Sequence, residues 1–101
     1  MTNSVKTDRE LLELAARAAG VNLKFMGNSP VELRDGIITA WNPLTDDGDA
    51  LRLAAAVATD IQFLGDSVSV SGHYETAEND DYMSAVRRAI VRAAAAIGET
   101  L

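Results

Sequence analysis

The chain changes its period between residues 61 and 98. "IQFLGDSVSVSG" alternates, with Ile61, Phe63, Val68 and Val70 apolar, polar residues between them and Gly65-Asp66 in the middle. That is the two-residue period of half-buried strands folded back by a tight turn. From Tyr82 the spacing changes: Tyr82 or Met83, Val86, Ala89/Ile90, Ala93 and Ile97 recur every three or four residues up to Gly98. That is a helix with one buried side. Strands joined by a tight turn pair antiparallel, so a chain holding both patterns in succession reads as α+β.

The same two signals organise the rest. Thr7-x-x-Glu10 has capping-box spacing. Leu11, Leu14, Ala15, Ala18 and Ala19 follow at helical spacing, Glu13 and Arg17 form an i,i+4 pair, and Gly20 suits a left-handed end. "VNLKFM" alternates as a strand, "GNSP" reads as a turn, and "VELRDGIITAW" holds an Asp-Gly that is either a tight hairpin or a bend within one longer strand. Two main strands are expected there. Asn42-Pro43 stops the segment, and a second helix is expected from about Gly48 to Ala58. Leu51, Leu53, Ala54, Ala55, Val57 and Ala58 surround that helix, so it is expected to be enclosed by the sheet plus another element or subunit. "HYETAENDD" reads as a polar loop, with Asp80 or Asp81 capping the last helix. Residues 1–7 are expected to be flexible and 8–101 to form one domain. The expected order is α-β-β-α-β-β-α, with about four mostly antiparallel strands in one sheet and helices packed on it as an α/β/α sandwich.

Composition removes several functions. Without Cys there is no disulfide, zinc ribbon or thiol nucleophile. The N-terminal residues carry no apolar signal segment, and the longest apolar run, "LAAAVA", is far short of a membrane span, so a cytoplasmic protein is expected. A net charge of −6 disfavours nucleic acid. The charge is uneven, however. Arg87, Arg88 and Arg92 lie in a segment, 82–98, that holds no acid, while Asp46, Asp47 and Asp49 and then Glu75, Glu78, Asp80 and Asp81 gather elsewhere.

The stretch "AWNPLTDDGDALRLA" concentrates the remaining signals. Asp46, Asp47 and Asp49 crowd into four residues with no closing Glu, unlike a calcium loop. Thr45, Asp46, Asp47 and Asp49 instead read as the cap and first turn of the second helix, and no metal or cofactor is expected. Trp41 reads as a core residue, with a half-exposed platform for a ligand or partner as the alternative. His73 is the sole imidazole and has no evident catalytic companion. Ser67, Ser69 and Ser71 alternate as a solvated face would, and no nucleotide-binding or metalloprotease motif occurs. Arg87, Arg88 and Arg92 read as a solvated face or as a contact for a partner or anion.

"WNPLTDDGDALRLA" together with "AVRRAIVRAAAAIGE" resembles the phage ABA-sandwich domain, a family of small phage and prophage proteins, over residues 8–99. A weaker likeness extends to lambdoid NinX-type proteins, where an Asn-Pro turn leads into a similarly placed helix. The resemblance implies helix–sheet–helix layering and a phage accessory role, with no catalytic residue or cofactor. The expected function is binding without catalysis: a module that self-associates through alanine-rich or apolar helix surface and contacts a host or phage protein, in host modulation or counter-defence. The alternative is a binder of a small anionic nucleotide, with the arginines supplying charge and Trp41 or Tyr74 a stacking face. A small enzyme is the least favoured reading.

Overall fold

The computed structural model describes residues 6–101, so the expectation of a flexible N-terminus lies, for residues 1–5, outside them. Three helices, α1 (Asp8–Ala19), α2 (Asp47–Val57) and α3 (Tyr82–Gly98), alternate with six strands. β1 (Leu23–Met26), β2 (Ser29–Arg34) and β3 (Ile37–Ala40) form one antiparallel sheet in that order. β4 (Ile61–Phe63), β5 (Ser67–Val70) and β6 (His73–Thr76) form a second, and a short 3₁₀ turn, Glu78–Asp80, leads into α3. The fold is α+β, as expected. The single four-stranded sheet is not formed, and the order is α-β-β-β-α-β-β-β-α.

The helix–sheet–helix sandwich is corrected with it. The helices hold the middle: α3 packs on α1, on α2 and on β5 and β6 of the second sheet. The first sheet meets α1 through β1, where Phe25 lies under the guanidinium of Arg9, 4.1 Å from its ring centre. Leu11, Leu12, Ala15 and Ala16 of α1 and Ala89, Ile90, Ala93 and Ala94 of α3 are buried in one core with Val68, Val70 and Trp41. Each fully buried Leu, Ile or Val contributes about 1.5–3 kcal/mol, so this helix pair and β5 supply most of the stability. Of the alternatives Tyr82 and Met83, Tyr82 packs on the core and Met83 is 45% exposed, while Ile97, expected inside, is 39% exposed.

The extra strands come from turns. Asp35-Gly36 and Ser71-Gly72 both have two consecutive left-handed residues, as a type I′ hairpin requires. The first resolves "VELRDGIITAW" into β2 and β3. The second folds "HYET", expected as loop, back onto β5 as β6. At Gly27-Asn28 the turn is shorter than "GNSP" suggested, and Pro30 falls inside β2, opposite Phe25. Its missing N–H lies on the β3 side, where Trp41 donates to the Pro30 carbonyl (3.1 Å) and nothing can be returned. The ladder therefore ends there.

The α1 cap forms as read: Thr7 Oγ1 accepts from the Glu10 N–H and Glu10 accepts from the Thr7 N–H, which holds the Glu10 carboxyl below its usual range. Glu13 pairs with Arg9 (3.8 Å) in place of Arg17. Asp81 caps α3, and the Ser84 N–H and hydroxyl hold its carboxyl below the usual range. Gly98 ends α3 as read, as its last helical residue. Glycine is needed there for packing: a Cβ would stand 2.0 Å from the Leu14 carbonyl oxygen. The enclosure of α2 is also corrected. Asp49, Ala50, Leu53 and Ala54 are buried, whereas Leu51 is 64% exposed and Ala55, Ala56 and Ala58 are open. Alanine exposes little apolar area, so an apolar sequence did not require a cover on every side.

Candidate functional site

The stretch from Trp41 to Asp49 is a hydrogen-bonded bracket between β3 and α2. Asn42 Oδ1 accepts from the Leu44 N–H (3.0 Å), and the Asn42 carbonyl accepts from the N–H groups of Thr45 (3.1 Å) and Asp46 (2.9 Å). Pro43 is among the most deeply buried side chains, and Trp41 is 6% exposed. Asp46 is the cap: its carboxylate accepts from the Asp49 N–H at 2.8 Å. Thr45 does not cap the helix and donates its hydroxyl to the Asn42 carbonyl instead (3.4 Å). Asp49, the one buried acid here, accepts from the Asn42 N–H (2.9 Å) and from Arg52 (2.7 Å), tying the turn to the helix it starts. Asp47 points elsewhere, to Arg87. The four residues act as connectors, and among the described residues no three His, Asp or Glu converge as a metal site would need. Asp46→Ala should therefore cost about 1 kcal/mol, the usual loss for an N-cap. Thermal melts would register this as a fall of a few degrees, and no change would deny the cap its role.

The arginines do not form one patch. Arg87 is consumed: Nε donates to the Leu44 carbonyl (2.8 Å), one terminal nitrogen to Asp47 (2.5 Å) and the other to Ser84 Oγ (3.0 Å). It clamps α3 to the loop before α2. Arg88 and Arg92, one turn apart, face another way. Arg88 pairs with Asp8 at the start of α1 (3.0 Å), and Arg92 pairs with Glu75 and donates to the Tyr74 carbonyl (3.1 Å). The acids missing from α3 therefore sit on α1, on β6 and in the first turn of α2.

Arg88 and Arg92 border a cleft of about 440 Å³ between α3, β6 and the start of α1, together with Lys6, His73, Glu75 and Glu99. Lys6 reaches Glu99 at 2.9 Å. Register decides what enters it. His73 pairs with Val70 and Glu75 with Val68, so these two share the face on which both valines are fully buried. Tyr74 pairs with Ser69 on the opposite face and is 62% exposed, away from the cleft. Ser69 lies nearly buried on that face, beside Gln62 and Tyr74, rather than solvated. A second cleft, of about 320 Å³, runs between the first sheet and α2 over Trp41, bordered by the pairs Glu32–Arg34 and Asp49–Arg52. The Tyr74 side chain thus faces away from the arginine that its carbonyl meets, and Trp41 lines a different cleft.

Sequence reading missed β3 as a surface and His73 as a neighbour of the arginines. Ile37 and Ile38 are strand residues, and they are 65% and 55% exposed. Only the Ser71-Gly72 dipeptide signalled the turn that brings His73 beside Arg92. No helix among the described residues is long and apolar enough to cross a membrane. No protein-family model matches the chain, and neither a curated protein nor a solved structure shows a significant match.

Proposed function

We propose that the protein works by binding, without catalysis, as a small phage or prophage accessory module, and that it self-associates through the free edge of its first sheet. The phage context rests on the resemblance of the Trp41–Ala54 stretch. The contact surface rests on β3. All four of its residues are exposed, and Ile37 and Ile38 lead the strand. In the β2–β3 register, Ile37 and Thr39 direct their N–H and C=O groups to β2, so those of Ile38 and Ala40 face outward. Soluble proteins usually blunt such an edge with Lys, Pro or a covering element. Ile-Ile-Thr-Ala carries no such device.

The edge is complementary to itself. An antiparallel two-fold centred on Thr39 sets Ile38 opposite Ala40 of a second copy and Ala40 opposite its Ile38. All the outward groups of both residues are then satisfied and the two sheets become one of six strands. Leu33 and Ile38 lie on one face of the sheet with Ala40 and Val31, so apolar rows run unbroken across the junction. Charge does not oppose the approach, because Glu32–Arg34 and Asp49–Arg52 balance beside β3. The acids responsible for the net −6 are concentrated at other places in the chain. A four-residue strand pair falls short of the roughly 1,200 Å² that stable interfaces bury, so the dimer is expected to be weak and concentration-dependent.

Light scattering coupled to size exclusion tests this. At tens of micromolar the mass should rise above the 10.7 kDa of one chain toward twice that value. Ile38→Lys should return it to one chain with the melting temperature nearly unchanged, since exposed substitutions usually stay within about 0.5 kcal/mol. A monomer at every concentration, or an association indifferent to Ile38→Lys, would sink the reading.

A further inference from the structure

We infer that the cleft between α3, β6 and the start of α1 is a binding site for a small phosphate-bearing anion. Among its lining residues Lys6, Arg88 and Arg92 outnumber Glu75 and Glu99, the third acid, Asp8, pairing with Arg88 from outside the lining, while the whole chain is −6. His73 brings an imidazole to the same space. The cleft over Trp41 has its two arginines matched by two acids within its own lining.

The arginines also retain unused donors. A guanidinium offers five N–H bonds in a fixed fork suited to phosphate. Among the described residues Arg88 bonds only through one terminal nitrogen, to Asp8, leaving Nε and the other terminal nitrogen open. Arg92 engages Glu75 and the Tyr74 carbonyl through a single terminal nitrogen. Arg87 has every nitrogen engaged, so no unengaged pair of nitrogens is left to it as a fork. The two available forks are four residues apart on one helix face, about 6 Å, and their side chains are 41% and 40% exposed. They are held in place by acids yet open to solvent, which preorganises them for an oxyanion.

The shape sets the ligand class. A volume of about 440 Å³ exceeds what a phosphate ion fills and lies in the range of small-molecule sites. Leu11, Ala95 and Ala96 give it an apolar wall, and among the described residues no Phe, Tyr or Trp borders it. Recognition therefore falls chiefly on the phosphate and a compact aliphatic or sugar body. Bound ligand would bridge α3 to the start of α1 and brace the two helices against each other.

Amide-resolved NMR titration of the full chain at low salt, with inorganic phosphate and with ribose 5-phosphate, tests the site; uncharged ribose is the control. Saturable shifts should centre on His73, Arg88 and Arg92 at millimolar ligand or below, and ribose should produce none. Tighter binding of ribose 5-phosphate identifies a phosphomonoester ligand, and equal binding identifies the free anion; either supports the site. Arg88→Gln, at an exposed pair, should weaken binding about tenfold, the loss of a charge-assisted hydrogen bond, with the fold intact in the same spectra. Arg34→Gln, on the far sheet, should leave binding unchanged. Absence of saturable shifts with either phosphate, or binding indifferent to Arg88→Gln, overturns the assignment.

Discussion

Gly98→Ala should destabilise the protein by about 3 kcal/mol, the upper end of what overpacking usually costs. A methyl group there would stand 2.0 Å from the Leu14 carbonyl oxygen and 2.7 Å from its carbonyl carbon. Both are backbone atoms that cannot rotate aside, so α1 and α3 must part where they cross. The sign makes the test sharp. In an unconstrained helix, Gly→Ala is worth about 1 kcal/mol of added stability. Here propensity and packing oppose each other, and packing should win. Urea denaturation of both proteins measures the difference. A midpoint that rises with alanine would mean the helices do not approach this closely. The mixed packing of small residues along α1 and α3, with Ala15, Ala89 and Ala94 fully enclosed, would then need another explanation.

Trp41→Ala should cost about 3–5 kcal/mol, as for other buried aromatics, against a total of about 5–15 kcal/mol for a domain. Trp41 joins the ends of three devices. Its N–H closes the β2–β3 ladder on Pro30, its side chain belongs to the shared core, and the next residue begins the Asn42 turn that Asp49 anchors. Loss of the indole should therefore lower the melting temperature strongly and loosen β3 together with the start of α2. Hydrogen exchange should report both regions failing together. A folded Trp41→Ala protein with an unchanged melt would reverse this assignment and make the cleft beneath Trp41 a recognition surface.

Local signals were legible wherever the physics was local. The Thr7–Glu10 box, the left-handed Gly20 and the Gly65-Asp66 hairpin each involve groups a few residues apart, and each forms as read. The Asp46 and Asp81 caps were each one of two candidates, and both lie equally close in sequence to the groups they cap. The failures share a different cause. β6 carries no apolar alternation because its inward residues are His73 and Glu75, one beside the arginines and the other paired with Arg92. A strand whose buried face is charged looks like a loop. The acid-free face of α3 looked solvated or ligand-seeking because its counter-charges lie far away in sequence, at Asp8, Asp47 and Glu75.

The sequence by itself determined that the chain is α+β, where its three helices start, and that "AWNPLTDDGDALRLA" is the entry to a helix. Turn chemistry, capping and hydrophobic period act over a few residues, so they can be read from neighbours. Only the tertiary structure decided that six strands divide into two sheets, that α2 is open on one side, and that the outer edge of β3 is left unpaired among the described residues. It also decided that Arg87 is locked while Arg88 and Arg92 keep free donors beside His73. Those outcomes depend on which distant groups meet, and a burial pattern along one strand or helix does not name its partner. Gly98 shows the same division within a single residue: the sequence marked it as a stop, and the approach of Leu14 from the other end of the chain is what requires it.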